Sequence, residues 1–227
     1  MLEDEHEIAD IVVGPGEFPD RDDADRDEAD RDDAAGPVDA EAVTVERCRL
    51  TGADLHGWRL AEARLTDVTF DACDLSNLVL DGASLLRVSM VGCRITGLRL
   101  VEAGVTDVRI HECRGEGFLV ADARLLRVAI TSSVLPSADL SGGRWDEVLL
   151  SDDDLPELDV TGVRAERTHL RTCTLTGARG LGGLRGMAAD PFTRGTLADD
   201  LARHAGLLLL LAASEGRPDT DPDDGGT

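Results

Sequence analysis

The chain has 227 residues, with 46 acidic side chains against 23 basic ones and a formal charge of −23. Every base is arginine; lysine and tyrosine are absent. A groove that neutralises phosphates needs a basic face, so this balance argues against a nucleic-acid binder, and with 3 % aromatics the core must be aliphatic and small.

Residues 1–44 hold 17 acids and 3 arginines, and Asp20 to Asp33 (DRDDADRDEADRDD) contains no apolar side chain larger than alanine. Such a segment buries too little surface to offset its ordering entropy, so residues 1–44 are expected to be an acidic, disordered tail. The same holds for residues 214–227. Residues 45–177, between them, carry 21 acids and 15 arginines and are only mildly acidic.

From Cys48 the chain divides into groups of five (CRLTG, ADLHG, WRLAE, ARLTD, VTFDA), and the frame runs unbroken through 26 groups to Gly177. The third position is Leu, Ile, Val, Phe or Met except at Gly115, Trp145 and Ala165, and the first is mostly apolar or small. A period of five fits neither a helix nor a plain strand. It requires a corner every five residues, with two of five side chains turned inward. A second period of twenty aligns Cys73, Cys93, Cys113 and Cys173; Trp58, Leu78, Leu98 and Phe118; Ala63, Ala83, Ala103 and Ala123; and Val68, Val88, Val108, Val128 and Val148. Four five-residue sides per coil predict an all-β, quadrilateral parallel β-helix over residues 45–182. Gly115 is expected to leave an inward position empty. Asp153 falls on an inward position, so it must bond to backbone or force a bulge. Pro136 and Pro156 stack, each expected to remove a ladder donor.

Beyond the coil, residues 183–213 are expected to form a helical cap. Asp190-Pro191 reads as an N-cap and first helical position, and Leu197, Leu201, Ala205 and Leu208 form an apolar stripe. Leu197, Leu201 and Leu208 are therefore the expected cap or dimer contacts. At the other end, Ile11-Val12-Val13 is the one apolar stretch available to cover the first coil.

Ala53-Asp54-Leu55-His56-Gly57 and Ala138-Asp139-Leu140-Ser141-Gly142 match the A(D/N)LXX motif in full. The chain thus resembles the pentapeptide-repeat proteins over about three-fifths of its length. That resemblance implies a right-handed coil, a C-terminal helical ending, and dimerisation through that ending. In layout the chain resembles the quinolone-resistance members, whose rods imitate duplex DNA and occupy the DNA-binding saddle of gyrase. The expected partner is accordingly a protein, with gyrase the specific case.

No catalytic constellation emerges. His6, His56, His111, His169 and His204 share no spacing of a ligand set or base–nucleophile pair. The cysteine column reads as small inward fillers, and no C-x-x-C pair marks a zinc module or disulfide scaffold. No enzyme activity, cofactor, metal or nucleic-acid ligand is expected. Nor is a membrane anchor: the longest apolar run, Leu207 to Ala213, cannot span a bilayer, and no leader sequence opens the chain, so a cytoplasmic location is expected. The outward positions give one face with Glu62, Asp81, Glu102, Asp122, Asp139 and Asp159, and a neighbour with Asp54, Asp74, Glu116, Asp154 and Glu157. These acids are the expected partner-binding surface; the alternative is a generic interaction solenoid bound through the acidic N-terminal tail or through the arginine-rich face. The next face gathers seven arginines: Arg64, Arg87, Arg124, Arg127, Arg144, Arg164 and Arg167. The two acidic faces sum to −7, whereas a rod of about 31 Å corresponds to roughly 18 charges of duplex DNA.

Overall fold

The computed structural model describes residues 37–204. Parallel pairing at a register of twenty joins every coil to the next, as in Leu65↔Leu85, Val105↔Leu125 and Leu150↔Leu170. Two of the four sides form continuous parallel ladders, centred on Leu65 and on Leu50 and their successors, with eight-residue strands in the first two coils and three-residue strands after them. Apart from the pairing of Asp39–Glu41 with Arg59–Ala61, the other two are held by single bridges, such as Asp54↔Asp74 and Arg59↔Val79. Inside, the column Trp58, Leu78, Leu98, Phe118 and the columns of Ala, Val and Cys are all buried in one core. The fold is the expected parallel β-solenoid with few, short helices.

Corners follow a strict backbone rule. Every fifth-position residue from Ala42 to Gly177 has a positive φ, between 47° and 76°. Nineteen non-glycine residues in the chain share this conformation, among them Ala72 at 52° and Thr172 at 52°. A side chain there costs about 1–2 kcal/mol, and the rest of the coil overrides it. Ala72 is exposed and its N–H still bonds Val91 O at 2.9 Å. Ala72→Gly is therefore expected to stabilise the protein by roughly 1 kcal/mol, the reverse of the usual Ala→Gly effect, as measured by the urea midpoint.

The coil begins earlier than residue 45. Asp39–Glu41 pairs with Arg59–Ala61, and Thr44–Thr51 pairs with Arg64–Asp71. Val38 and Val43 occupy first positions of two further groups in the same frame, and Val45 is buried. Only residues 1–36 of the expected tail, Ile11–Val13 included, lie outside the described residues, as do residues 205–227 with Leu208 and Ala205.

Two irregular positions are accommodated by the backbone, the first of them against expectation. Gly115 leaves no hole, because a Cβ there would sit 2.4 Å from Thr96 N. The backbone itself has closed the position, and the neighbouring Phe118 is fully buried. Trp145 points inward and is buried in register with Leu125 and Ala165. Space for it comes from Ala165 and from Gly143, whose φ is +60° and whose Cβ would strike Ala123 O at 2.1 Å.

The C-terminal end is a broken cap. Leu181–Leu184 makes a 3₁₀ turn, Ala188–Ala189 adds a last strand against His169–Leu170, and two helices follow, α1 (Pro191–Thr196) and α2 (Ala198–His204). Asp190 caps α1 as expected, accepting from Thr193 N at 2.8 Å and from Thr172 N at 2.9 Å. The expected single stripe is split: Leu197, at the break, is 2 % exposed against the core, whereas Leu201 is 40 % exposed.

Candidate functional site

The inward Cys column is a chain of hydrogen bonds and not simply filler. In register it reads Ala53, Cys73, Cys93, Cys113, Ser133, Asp153, Cys173 and Thr193. Along it, side chains accept the N–H of the residue one coil earlier. Ser133 Oγ takes Cys113 N–H at 3.2 Å, Asp153 takes Ser133 N–H at 2.8 Å, and Thr193 Oγ1 takes Cys173 N–H at 3.0 Å. The cysteines donate instead: Cys93 Sγ–H to Phe70 O at 3.4 Å and Cys173 Sγ–H to Arg171 O at 3.2 Å. A column of acceptors is needed because these N–H groups point into the core, where an unpaired one costs about 1–3 kcal/mol. Ser, Asp and Thr are small and accept; Ala or Val would not. Burial pushes the Cys173 thiol up to about 11, so it is neutral and unreactive as a nucleophile. Asp153 is 2 % exposed and bonds Ser133 N and Ser151 N without bulging the coil, and burial pushes its carboxyl up to about 7.

Among the described residues no group of His, Cys, Asp and Glu is placed to hold a metal ion. His56, His111 and His169 sit on separate coils; His111 Nδ1 meets Thr131 Oγ1 at 2.9 Å. No described helix is long and apolar enough to cross a membrane.

The outer surface carries the remaining chemistry. The acids singled out from sequence all lie on the two bridge-held sides, but they divide into two kinds. Asp54, Asp74, Asp139 and Asp159 stand at second positions and each accepts the backbone N–H two residues on, at 2.8–3.0 Å. That local bond is what the D of the repeat motif supplies. Burial raises the Asp74 and Asp159 carboxyls, but bonds from Ser76 and Thr161, with Arg94 and Arg179 nearby, outweigh it and hold both below the usual range. Asp81 pairs with Arg99 at 2.7 Å. Glu157 accepts from Ser137 Oγ at 3.1 Å. Glu62, Glu102, Asp122, Glu116 and Asp154 are exposed or half-buried and carry no such bond.

The prolines explain why Asp154 is uncommitted. On this side the fourth-position N–H is outside the ladder, serving the second-position carboxylate where one is present. Pro136 and Pro156 stand at that position, so they remove no ladder donor, contrary to expectation. With no N–H to cap, position 134 accepts Val, which is 42 % exposed, and Asp154 faces solvent.

The arginine side has an internal order that its net charge conceals. One corner column reads Arg47, Asp67, Arg87, Asp107, Arg127, Glu147 and Arg167, alternating in sign at every coil. Arg87 grips Asp67 and Arg127 grips Asp107 through two bonds each, and Arg167 reaches Asp146 and Glu147. The Arg87 and Arg127 guanidiniums hold the Asp67 and Asp107 carboxyls below the usual range. Stepping through the sequence by twenty reveals this column. A parallel column holds Arg124, Arg144 and Arg164 in direct register. All three are exposed, and among the described residues none of their side chains makes a hydrogen bond or ion pair.

Residues 63–140 match the family model described as the pentapeptide repeat region. That stretch of the coil is a pentapeptide repeat region. No curated protein matches the chain. Among solved structures, a trypsin-treated form of QnrB1, a plasmid-mediated fluoroquinolone resistance protein, is 14 % identical, covering 76 % of this chain and 100 % of its own, with a TM-score of 0.34. HetL, a pentapeptide repeat protein involved in heterocyst differentiation regulation from the cyanobacterium Nostoc sp. strain PCC 7120, is 23 % identical. It covers 64 % of this chain and 77 % of its own, with a TM-score of 0.27. Rfr23, a pentapeptide repeat protein from the cyanobacterium Cyanothece 51142, is 16 % identical over 68 % of this chain and 88 % of its own, at 0.21.

Proposed function

We propose that this pentapeptide-repeat protein is a non-catalytic binding rod whose acidic sides engage a basic protein surface, with DNA gyrase the specific candidate. The supporting observation is the set of free carboxylates, Glu62, Glu102, Asp122, Glu116 and Asp154, held on two adjacent sides of a stiff coil. A rigid scaffold presents charge without an ordering cost on binding. The gyrase reading draws on the layout shared with quinolone-resistance pentapeptide proteins. The two acidic faces carry a net −7 over a length in which duplex DNA carries roughly 18 charges, so the reading is of a few carboxylates meeting a basic surface and not of a duplex's charge density.

The test is a supercoiling assay with purified gyrase and the full chain in molar excess, alongside Glu62→Gln/Glu102→Gln/Asp122→Asn. Inhibition or protection by the native chain, weakened at least tenfold in the variant, is the expected result. Unchanged supercoiling at large excess removes gyrase and leaves the acidic-side scaffold to be tested against other basic proteins. The cap supplies a second element: Phe192 is 55 % and Leu201 40 % exposed on adjacent helices. We infer that this apolar pair joins two copies, which sedimentation of Phe192→Glu/Leu201→Glu as a monomer beside a dimeric native chain checks.

A further inference from the structure

The three stacked arginines are a strongly charged feature that neither the coil nor the acidic-side reading uses. Arg124, Arg144 and Arg164 follow one another at the coil spacing of about 4.8 Å, with no partner for any of them among the described residues. The nearest acids do not relieve them: Asp146, on the same side, is held by Arg167, and Glu166 is exposed without an ion pair. Asp122, at the adjoining corner, makes no ion pair with Arg124 either. Three like charges at this spacing repel along the ladder. Each guanidinium presents a fork of donors shaped for a carboxylate. An extended anionic strand laid along the rod would meet all three.

This chain contains such a strand. Residues 20–34 read DRDDA, DRDEA, DRDDA, three blocks each with three acids and one arginine, a net −2 per block. They immediately precede the first coil. Val38 O accepts Arg59 N–H and Thr44 pairs with Arg64, the column that holds Arg124 four coils and Arg164 six coils after Thr44. Those distances are about 19 and 29 Å along the rod. Seventeen residues, 20–36, span up to about 56 Å when extended, so the blocks reach the ladder with chain to spare. Tethering gives them an effective concentration in the millimolar range, far above that of any free acidic partner. Nucleic acid is disfavoured as occupant by the overall charge of −23.

We infer that the acidic segment of residues 20–33 docks in cis along Arg124, Arg144 and Arg164. The segment covers the ladder, and an external acidic partner gains it only by displacing the tether. This is independent of the acidic-side reading, which uses other faces.

The test follows the amide signals of residues 20–33 by NMR in the full-length protein at 20 and 500 mM NaCl. Arg124→Gln/Arg144→Gln/Arg164→Gln is compared with a control of equal charge change on the neighbouring strand side, Arg49→Gln/Arg109→Gln/Arg171→Gln. The expected result is that the ladder variant at low salt moves these signals to their high-salt positions while the control leaves them in place. Asp22→Asn/Asp27→Asn/Asp32→Asn should in turn shift the side-chain Nε signals of the three ladder arginines. Identical segment signals in the native chain and the ladder variant overturn the proposal, as does an equal response in the control. A difference that grows with protein concentration also overturns it, assigning the ladder to a second copy.

Discussion

Asp153→Ser is expected to stabilise the protein at pH 8 by on the order of 4 kcal/mol and to change little at pH 3.5. Burial raises the Asp153 carboxyl from 3.8 to about 7 in the folded chain. A raised acid binds its proton more tightly when folded, so the native state carries no penalty while both states are protonated, below about pH 4. The penalty grows as the pH rises through the window up to about 7 and is complete above it. Each tenfold difference in proton affinity between the two states corresponds to about 1.4 kcal/mol. Serine keeps the bond to Ser133 N–H without the charge, and gives up the one to Ser151 N–H. Ser133, one coil earlier in the same column, already shows the geometry, accepting Cys113 N–H and donating to Thr131 O at 3.0 Å. Urea midpoints of the two proteins between pH 3.5 and 8 should converge at the acid end and diverge upward through pH 4 to 7. Parallel curves would show that the carboxylate is not what destabilises the coil. The outward pairs act in the opposite direction: Asp67 and Asp107, held down by Arg87 and Arg127, lose their contribution as the pH falls. The comparison must therefore be between variant and native chain, not between pH values alone.

The second large effect lies at Trp145. Trp145→Ala is expected to cost about 3–5 kcal/mol, because the surrounding coil is shaped for the ring and cannot collapse into the space. Ala165 and Gly143 are the shaping residues, one facing the indole across the ladder and one pressed against Ala123 O. Ala165→Leu alone should overpack and cost about 1–3 kcal/mol. Trp145→Leu with Ala165→Leu restores two aliphatic centres of the kind found at Leu85 and Leu125, and should be more stable than the sum of the single changes. A double-mutant cycle by denaturant unfolding reads the coupling; strict additivity would mean that the two sites do not share space.

The coil is legible in the sequence because its physics is local and periodic. Two inward positions in five and a corner at the fifth leave the frame visible at Leu55, Leu80 or Ile110 without reference to anything distant. Asp153 and Asp190 are legible for the same reason, one as a charge on an inward position and one as a cap beside Pro191. The departures share a cause as well. Val38 and Val43 continue the frame, but Asp39 and Glu41 beside them give the segment the composition of a tail. Gly115 reads as a missing side chain, although glycine also lets the backbone move in. Pro136 and Pro156 fall under the general rule for strands, yet at their position the N–H faces outward. Leu201 follows a helical stripe that the break at Leu197 turns away from the core. Of the acids on the two acidic sides, Asp54, Asp74, Asp139 and Asp159 serve their own turns first, and a sum of charges by face does not distinguish a committed carboxylate from a free one.

The inward acceptor column gives the rod a direction of assembly. The core N–H groups of Cys113 and Ser133 are completed by a side chain from the coil that follows, and the last, Cys173 N–H, by Thr193 in α1. A chain emerging from its N-terminus therefore ends on an open donor at these coils, and the segment added next closes it. Only the cap stops the sequence, since Thr193 lies in a helix that needs no further acceptor in that column. Loss of the C-terminal cap leaves a buried donor bare at the end of the stack. Loss of the first coil removes a donor and strands none.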